Sequence, residues 1–460
     1  MRPQGRDGLG MQPGWQAYGM LRRSSVERHG DPFPVRLPIP ELALVLLVGP
    51  SGAGKSTFAA RHFAETEVVS SDRCRALVAD DERDQSATRD AFDLLHLLVE
   101  KRLRRGRLTV VDATSVTPES RRALLVLARR SHVPAVAVVF DLPAEVCIAR
   151  DRARRRQVGA RAIERQIDDL HRSIGHLGRE GFRHVHVFRT PEDVEGASVV
   201  RVPLPSNRKA ETGPFDIIGD LHGCYRELRA LLDELGWEVT EREGRFHLHH
   251  PAGRKLVFLG DLIDRGPGVV EVLQLVMDAV AEGSALAISG NHEAKLLRKL
   301  QGRDVRVSGG LQETLDQLEG TDTAFLQRLR GFLATLPHHY QLDGGRLVVA
   351  HGGLPARLQG RDSPRVQSTA LYGEVSGRLD GRGLPERRDW AESYRGDALV
   401  VYGHTPVPEP RVRNGTVNID TGCVFGGRLT ALRYPEGDFV SVPAFDAYAE
   451  DRHACAPGAA

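Results

Sequence analysis

Short apolar runs that end abruptly in polar loops set the rhythm of this chain. Leu42–Val48 is seven apolar residues without a polar break, Leu108–Val111 (interrupted only by Thr109) and Val133–Phe140 are similar runs, and each is followed by a glycine- or aspartate-bearing turn. Runs that are continuous rather than alternating predict strands buried on both faces, as in a parallel sheet. Between them, Ala87–Leu103 places Phe92, Leu95, Leu98/Val99 and Leu103 at helical spacing, which predicts an amphipathic helix. After residue 214 the runs recur as Phe215–Ile218, Leu256–Leu259, Ala287–Ile288, Leu347–Ala350 and Leu399–Tyr402, each opening into a loop rich in Asp, His or Asn.

Residues 201–214 (RVPLPSNRKAETGP) are polar, proline-bearing and without period, and divide two halves. The predicted organisation is a leader over 1–37, a first domain over 38–202, a linker over 203–213, a second domain over 214–447 and a tail over 448–460. The leader is read as disordered because it is rich in Gly, Arg and Pro; its methionines Met11 and Met20 allow a start further in.

A length of 460 residues, 41% hydrophobic and 27% charged, fits two soluble globular domains. The formal net charge of +2 excludes a polycation, although Lys101–Arg107 and Arg150–Arg156 concentrate positive charge in the first half. Five scattered cysteines form no C-x-x-C pair, which argues against a zinc or disulfide framework and for a reducing, cytoplasmic setting. The apolar run nearest the start is too short to span a bilayer, so no membrane partner is expected.

The strand Leu42–Val48 runs into Gly49-Pro50-Ser51-Gly52-Ala53-Gly54-Lys55-Ser56-Thr57, which satisfies G-x-x-x-x-G-K-[ST] with the required strand before and helix after. Gly49, Gly52 and Gly54 let backbone N–H groups face a phosphate, and the helix opening at Thr57 adds its partial positive charge. Lys55 is expected to bridge the β- and γ-phosphates of ATP, and Ser56 to hold Mg²⁺. Asp72 follows the short strand at Val68-Val69, with Arg75 three residues on; Asp72 reads as a base for an acceptor hydroxyl or as a helix N-cap. Asp112 closes another strand and reads as a partner of Mg²⁺ or as a cap. Arg150 and Arg154, at i and i+4, are expected to share a helix face and act as a lid over ATP; the register in this arginine run is open, and the alternative is a basic solvated helix.

In the second half stand GDLHG (Gly219–Gly223), GDLIDRG (Gly260–Gly266), GNHE (Gly290–Glu293), HGGLP (His351–Pro355) and GHTP (Gly403–Pro406). Oxygen and nitrogen ligands without thiolate suit Mn²⁺ or a similar ion, and two such ions clamp a phosphate and activate water. One carboxylate must bridge them, and Asp261 is the candidate. The histidines His247, His249, His250, His338 and His339 lie outside these motifs and are expected at the surface.

On these five motifs, in this order, residues from Phe215 to about Pro435 resemble the binuclear calcineurin-like metallophosphoesterases. The resemblance implies Asp220, His222 and Asp261 on one Mn²⁺ or similar ion, and Asp261, Asn291, His351 and His404 on the other. It further implies His292 as general acid held by Asp264, Arg265 gripping the phosphate, and Asp420 near the site. The expected fold is an α/β kinase-type domain with a P-loop parallel sheet, followed by an α/β metallophosphoesterase domain built on a β-sandwich.

Joined to a P-loop domain carrying S-S-D-R-C-R and V-V-D-A-T, this half resembles the bacterial polynucleotide kinase–phosphatases. That resemblance implies end healing of nucleic acids, most of all RNA: a 5′-OH phosphorylated with ATP·Mg²⁺, and a 3′- or 2′,3′-cyclic phosphate removed. Asp72 would be the base on the 5′-OH and Arg75 would contact the acceptor strand. No K-x-[DN]-G nucleotidyltransferase motif is present, so a separate ligase would seal the ends; a homodimer is compatible with the sequence. The alternatives are a Ser/Thr-type protein phosphatase with a regulatory NTPase, a dinucleotide hydrolase fused to a small-molecule P-loop kinase, and a nucleotide-regulated scaffold.

Overall fold

The computed structural model describes residues 35–154, 157–379 and 385–450, arranged as two compact units: residues 1–204 with Arg361–Ser363, and the remainder from Pro205. In the first unit five parallel strands lie in the spatial order Val68–Ser70, Thr109–Asp112, Leu44–Val48, Ala135–Phe140, His184–Phe188. The central strand explains the unbroken apolar run. Leu44, Leu46 and Val48 pack on one face with Leu95 and Val99 of the helix Thr88–Arg104, whereas Val45 and Leu47 pack on the other with Phe58, Phe140 and Phe188. A strand buried on both faces has no solvent side on which to place polar residues.

Parallel strands bring their C-terminal ends to one edge, where ligands of open α/β sheets bind. The P-loop follows the central strand there, Asp112 ends its neighbour, and Asp72 lies just beyond the outer strand Val68–Ser70. One expectation fails at the start of the chain. Arg36–Pro40, whose first two residues were read as leader, is a strand paired in parallel with Ser198–Val202. Its partner lies some 160 residues away, so no local pattern announces it.

The second unit is a β-sandwich. One sheet has five strands in the order Ala285–Ala287, Lys255–Phe258, Phe215–Ile218, Arg428–Tyr434, Phe439–Pro443. The other has six: Arg411–Arg413, Thr416–Asn418, Leu399–Tyr402, Leu347–Ala350, His339–Leu342, Asn207–Arg208. Phe215, Ile217, Val257 and Leu432 of the first meet Tyr340, Leu342, Val349 and Val401 of the second in the core between them. The outer face of the five-stranded sheet is covered by the helices Tyr225–Leu235 and Val269–Glu282.

Three further readings are corrected. Asn207–Arg208, placed in the linker, is an edge strand paired with Gln341–Leu342. His250 and His339, expected at the surface, are buried: His250 Nε2 lies 3.1 Å from the Leu235 carbonyl, and His339 Nε2 accepts the Gly360 N–H at 3.1 Å. Tyr448, placed in the tail, is tied to the buried Glu227 by a 2.9 Å hydrogen bond from its hydroxyl. Among the described residues no helix is long and apolar enough to cross a membrane, and Cys74, Cys147, Cys224 and Cys423 are free and buried. Met11, Met20, Arg155, Arg156 and Cys455 lie outside the described residues.

Candidate metal centre and P-loop site

In the second unit, six loops converge from the ends of strands. Asp220 and His222 follow Phe215–Ile218, Asp261 follows Lys255–Phe258, and Asn291 and His292 follow Ala285–Ala287. His351, His404 and Asp420 follow three strands of the other sheet. Asp261 lies in the middle. Its Oδ2 is 3.6 Å from His222 Nε2, 3.8 Å from His292 Nε2 and 3.3 Å from His351 Nε2. It belongs to both groups of side chains able to hold a metal ion, His222–Asp261–His292 and Asp261–His351–His404.

Ring orientation is set from behind. His222 Nδ1 lies 2.8 Å from the Ile263 carbonyl and His351 Nδ1 lies 3.2 Å from that of Leu259, so each ring donates its Nδ1–H there and turns Nε2 into the site. His351 Nε2 then faces Asn291 Oδ1 at 3.0 Å and His404 Nδ1 at 3.1 Å. Such a gathering of acceptor atoms suits a cation. Asp220 Oδ2 accepts the His404 N–H at 3.1 Å, while its Oδ1 is buried without a hydrogen-bond partner. An orphaned carboxylate oxygen 3.9 Å from the His351 imidazole fits a hard or borderline divalent ion.

The buried groups act strongly on one another. Burial raises Asp220 well above the usual carboxylate range, with the charges of Asp420 and Asp261 adding to it. Burial also pushes Asp420 up to about 6. Asp261 goes the other way: burial raises it, but His351, His292 and His222 together hold it well below the usual range. Burial lowers His351, yet Asp261 and Asp220 outweigh it and bring the imidazole to about 10.

The backbone bends sharply to present these groups. His222, Asp261, Asp264, Arg265 and His404 all have positive φ, between 44° and 75°. Non-glycine residues held there cost about 1–3 kcal/mol each, a strain typical of functional sites. Where two loops touch there is room only for glycine: a Cβ on Gly290 would lie 2.2 Å from Asp261 Oδ1.

His292 Nδ1 makes a short hydrogen bond with Asp264 Oδ2, and Asp264 Oδ1 accepts the Thr314 hydroxyl at 2.6 Å. The Arg265 guanidinium lies against His222 Nε2 and 3.4 Å from His292 Nε2. Glu293 received no role from the sequence, although it stands in GNHE. Its carboxylate accepts N–H groups from Gly290, Asp261 and Leu262, each at 2.8 Å, and so ties two ligand loops together. Burial, with the charge of Asp261, pushes Glu293 up to about 7.

In the first unit, Lys55 is buried and donates from Nζ to the Gly49 and Pro50 carbonyls, both at 2.8 Å. Burial lowers it to about 8, with Asp112 opposing. The helix begins at Lys55 with Gly54 at φ 92°, and a Cβ on Gly52 would lie 2.1 Å from the Cys147 carbonyl. Ser56 hydrogen-bonds the Asp112 carboxylate, which burial raises. Thr57, next along, lies in the helix's first turn and is exposed. Asp72 is not the N-cap: Ser70 fills that role through the Arg73 N–H, and Asp72 is instead held at 2.5 Å by the buried Arg75. A cleft of about 220 Å³ beside Ser56 and Asp112 is lined also by Phe63, Ser70 and Arg73.

Arg150 and Arg154 both approach the P-loop, but not from one helix face. The helix Ala144–Arg152 ends before Arg154, where the buried Asp151 accepts the Val158 and Gly159 N–H groups at 3.0–3.1 Å. Arg150 Nη1 would lie 3.4 Å from a Cβ on Gly54, and the charge of Arg154 reaches both Lys55 and Asp112. Gln166, unremarked in the sequence, accepts the Ser51 N–H at 2.8 Å.

Comparison with known proteins sharpens this picture for the second unit. Residues 213–440 match the calcineurin-like phosphoesterases, and residues 44–177 match an AAA domain family. A bis(5′-nucleosyl)-tetraphosphatase (asymmetrical) of Anoxybacillus flavithermus is 47% identical over 242 residues, which cover 97% of that protein and 52% of this chain. The chain belongs to the calcineurin-like phosphoesterase family. A Bacillus subtilis phosphoesterase of the same description is 45% identical over 242 residues, 98% of its length and 52% of this chain. A crystal structure described as a putative diadenosine tetraphosphatase aligns at 26% identity with a TM-score of 0.39, covering 97% of its chain and 52% of this one.

Proposed function

We propose that the second unit hydrolyses dinucleoside polyphosphates with two divalent ions, and that the first transfers a phosphoryl group from a nucleoside triphosphate to a hydroxyl acceptor. The observation that carries the hydrolase reading is the identity of 44–47% with proteins named for a dinucleotide substrate, spanning nearly their whole length. It coincides with loops that surround Asp261 with three imidazoles and an orphaned Asp220 oxygen. This reading takes the place of nucleic-acid end healing as the main one.

Asp220, His222 and Asp261 would hold one ion and Asp261, Asn291, His351 and His404 the other. When bound, the two ions supply Lewis acidity toward water and the phosphoryl oxygens. The residues of the chain do the rest. Arg265 grips the phosphoryl group, Glu293 keeps the Asp261 and Asn291 loops in register, and His292 protonates the departing oxygen while Asp264 fixes its tautomer. In the first unit Lys55 and the glycine-bounded amides hold the phosphates, Ser56 and Asp112 hold Mg²⁺, and Arg150 and Arg154 approach from the lid side.

A second reading keeps 5′-OH phosphorylation of a polynucleotide, favoured by the Asp72–Arg75 pair at the sheet edge. One panel separates the two. Diadenosine tetraphosphate, a 3′-phosphorylated oligoribonucleotide and a phosphopeptide are each incubated with Mn²⁺, with and without ATP. The hydrolase reading expects the highest kcat/KM on the tetraphosphate; a preference for the 3′-phosphate, with ATP-dependent gain of a 5′-phosphate, would replace it with end healing.

A further inference from the structure

The helix that opens at the metal centre, Asn291–Leu300, carries His292, Lys295 and Lys299 at i, i+3 and i+7, which is one face. At 1.5 Å rise per residue, Lys295 stands about 4.5 Å along the axis from His292. The loop that follows comes back to the site. Gly309 lies beside His292, and Gly310 packs on Arg265 and Asp264. Lys295 Nζ donates to the Ser308 carbonyl and, at 3.1 Å, contacts the Ser308 hydroxyl, so the loop is pinned to the helix.

Residues 295–310 hold five cations (Lys295, Arg298, Lys299, Arg303, Arg306) against one carboxylate, Asp304, in a chain whose formal net charge is only +2. Burial pushes the Lys295 ammonium down; Asp264 opposes, and Arg298, Arg306 and Arg265 add to the lowering. Asp264 is no free counter-ion, since its two oxygens are taken by His292 and Thr314. Among the described residues, Lys295, Arg298 and Arg306 form no ion pair with a carboxylate. A solvated basic face is normally interspersed with acids; crowded like charges beside a reactive histidine suit a polyanionic ligand.

We propose that Lys295 and Arg306 form a cationic rim on the leaving-group side of the centre, which binds the triphosphate portion of a dinucleoside tetraphosphate and so directs attack to its far phosphate. This rests on the hydrolase reading above. Water's oxygen bonds to the terminal phosphorus, and the bridging P–O bond breaks with its electron pair on the triphosphate oxygen. One proton of the water is released, and the products are a nucleoside triphosphate and a nucleoside monophosphate. The rim holds the charge that accumulates on the departing triphosphate, and His292, at its inner end, faces the same oxygen.

The test compares wild type, Lys295→Ala, Arg306→Ala, the double variant and Lys295→Arg with Mn²⁺, on diadenosine tetraphosphate and p-nitrophenyl phosphate, with thermal unfolding as a check on folding. Each lost cation is expected to reduce the ratio of the two kcat/KM values on the order of tenfold, the worth of a charge-assisted hydrogen bond, mainly through KM. Lys295→Arg should restore most of the ratio. If wild type cleaves the tetraphosphate and the ratio does not move, the rim is wrong while the hydrolase reading stands. A wild type that cleaves p-nitrophenyl phosphate but not the tetraphosphate overturns the hydrolase reading, and the rim with it.

Discussion

The two candidate sites are built in opposite ways. The P-loop is one contiguous segment whose left-handed positions are glycines, Gly52 and Gly54 among them. The candidate metal centre is assembled from loops spread over 200 residues, from Asp220 to Asp420, and its strained positions carry side chains: His222, Asp261, Asp264, Arg265 and His404. A phosphate cradle needs backbone freedom, which glycine supplies locally. A metal cage needs side-chain direction, which only the surrounding scaffold can enforce. The P-loop should therefore tolerate change around it, and the centre should fail when its supports are disturbed.

The sharpest break of this comparison is Asp261→Ala, which should abolish hydrolysis of every phosphate ester while leaving a fluorescent ATP analogue bound to the first half. Lys55→Ala should do the reverse. Loss of hydrolysis in Lys55→Ala would show that the two sites are not separate. Next in size, His292→Gln should lower kcat roughly 10²–10³-fold on substrates with poor leaving groups, and less on p-nitrophenyl phosphate, as expected for a lost general acid. Glu293→Gln leaves a buried amide NH₂ facing backbone donors, and should weaken divalent-ion affinity about 10–100-fold in a metal titration.

A pH effect distinguishes the first site. Lys55 is lowered to about 8, so below that pH it is charged and ready for phosphate. Above it the free lysine loses its proton, and the Kd for an ATP analogue should rise by about tenfold per pH unit, until the higher pKa of the bound form is passed. A flat Kd from pH 7 to 10 would contradict the contact. The smallest effect is expected at Tyr448→Phe, which removes one hydrogen bond to Glu227 and should cost about 1 kcal/mol in chemical unfolding.

The same contrast explains what could be read in advance. The P-loop and the five metal-centre motifs are local strings, and strands ending in Asp, His or Asn announce their own direction. Glu293 was visible in GNHE, but its three N–H partners belong to two loops and appear only when these meet. Thr314 and Gln166 lie in helices with no motif around them and act through residues far away in sequence. The pairing of Arg36–Pro40 with Ser198–Val202, and the burial of His250 and His339, depend on partners that no local period encodes. Arg154 was assigned to a helix face because the arginine spacing fits one, whereas that helix ends at Arg152 and the buried Asp151 instead accepts the Val158 and Gly159 N–H groups ahead of the next helix.

The most direct measurement is the product chromatogram of diadenosine tetraphosphate incubated with the full chain and Mn²⁺. The account predicts ATP and AMP in equal amounts, formed without added nucleotide and absent in Asp261→Ala. Two molecules of ADP, or an untouched tetraphosphate beside a dephosphorylated 3′-phosphate oligonucleotide, would contradict it.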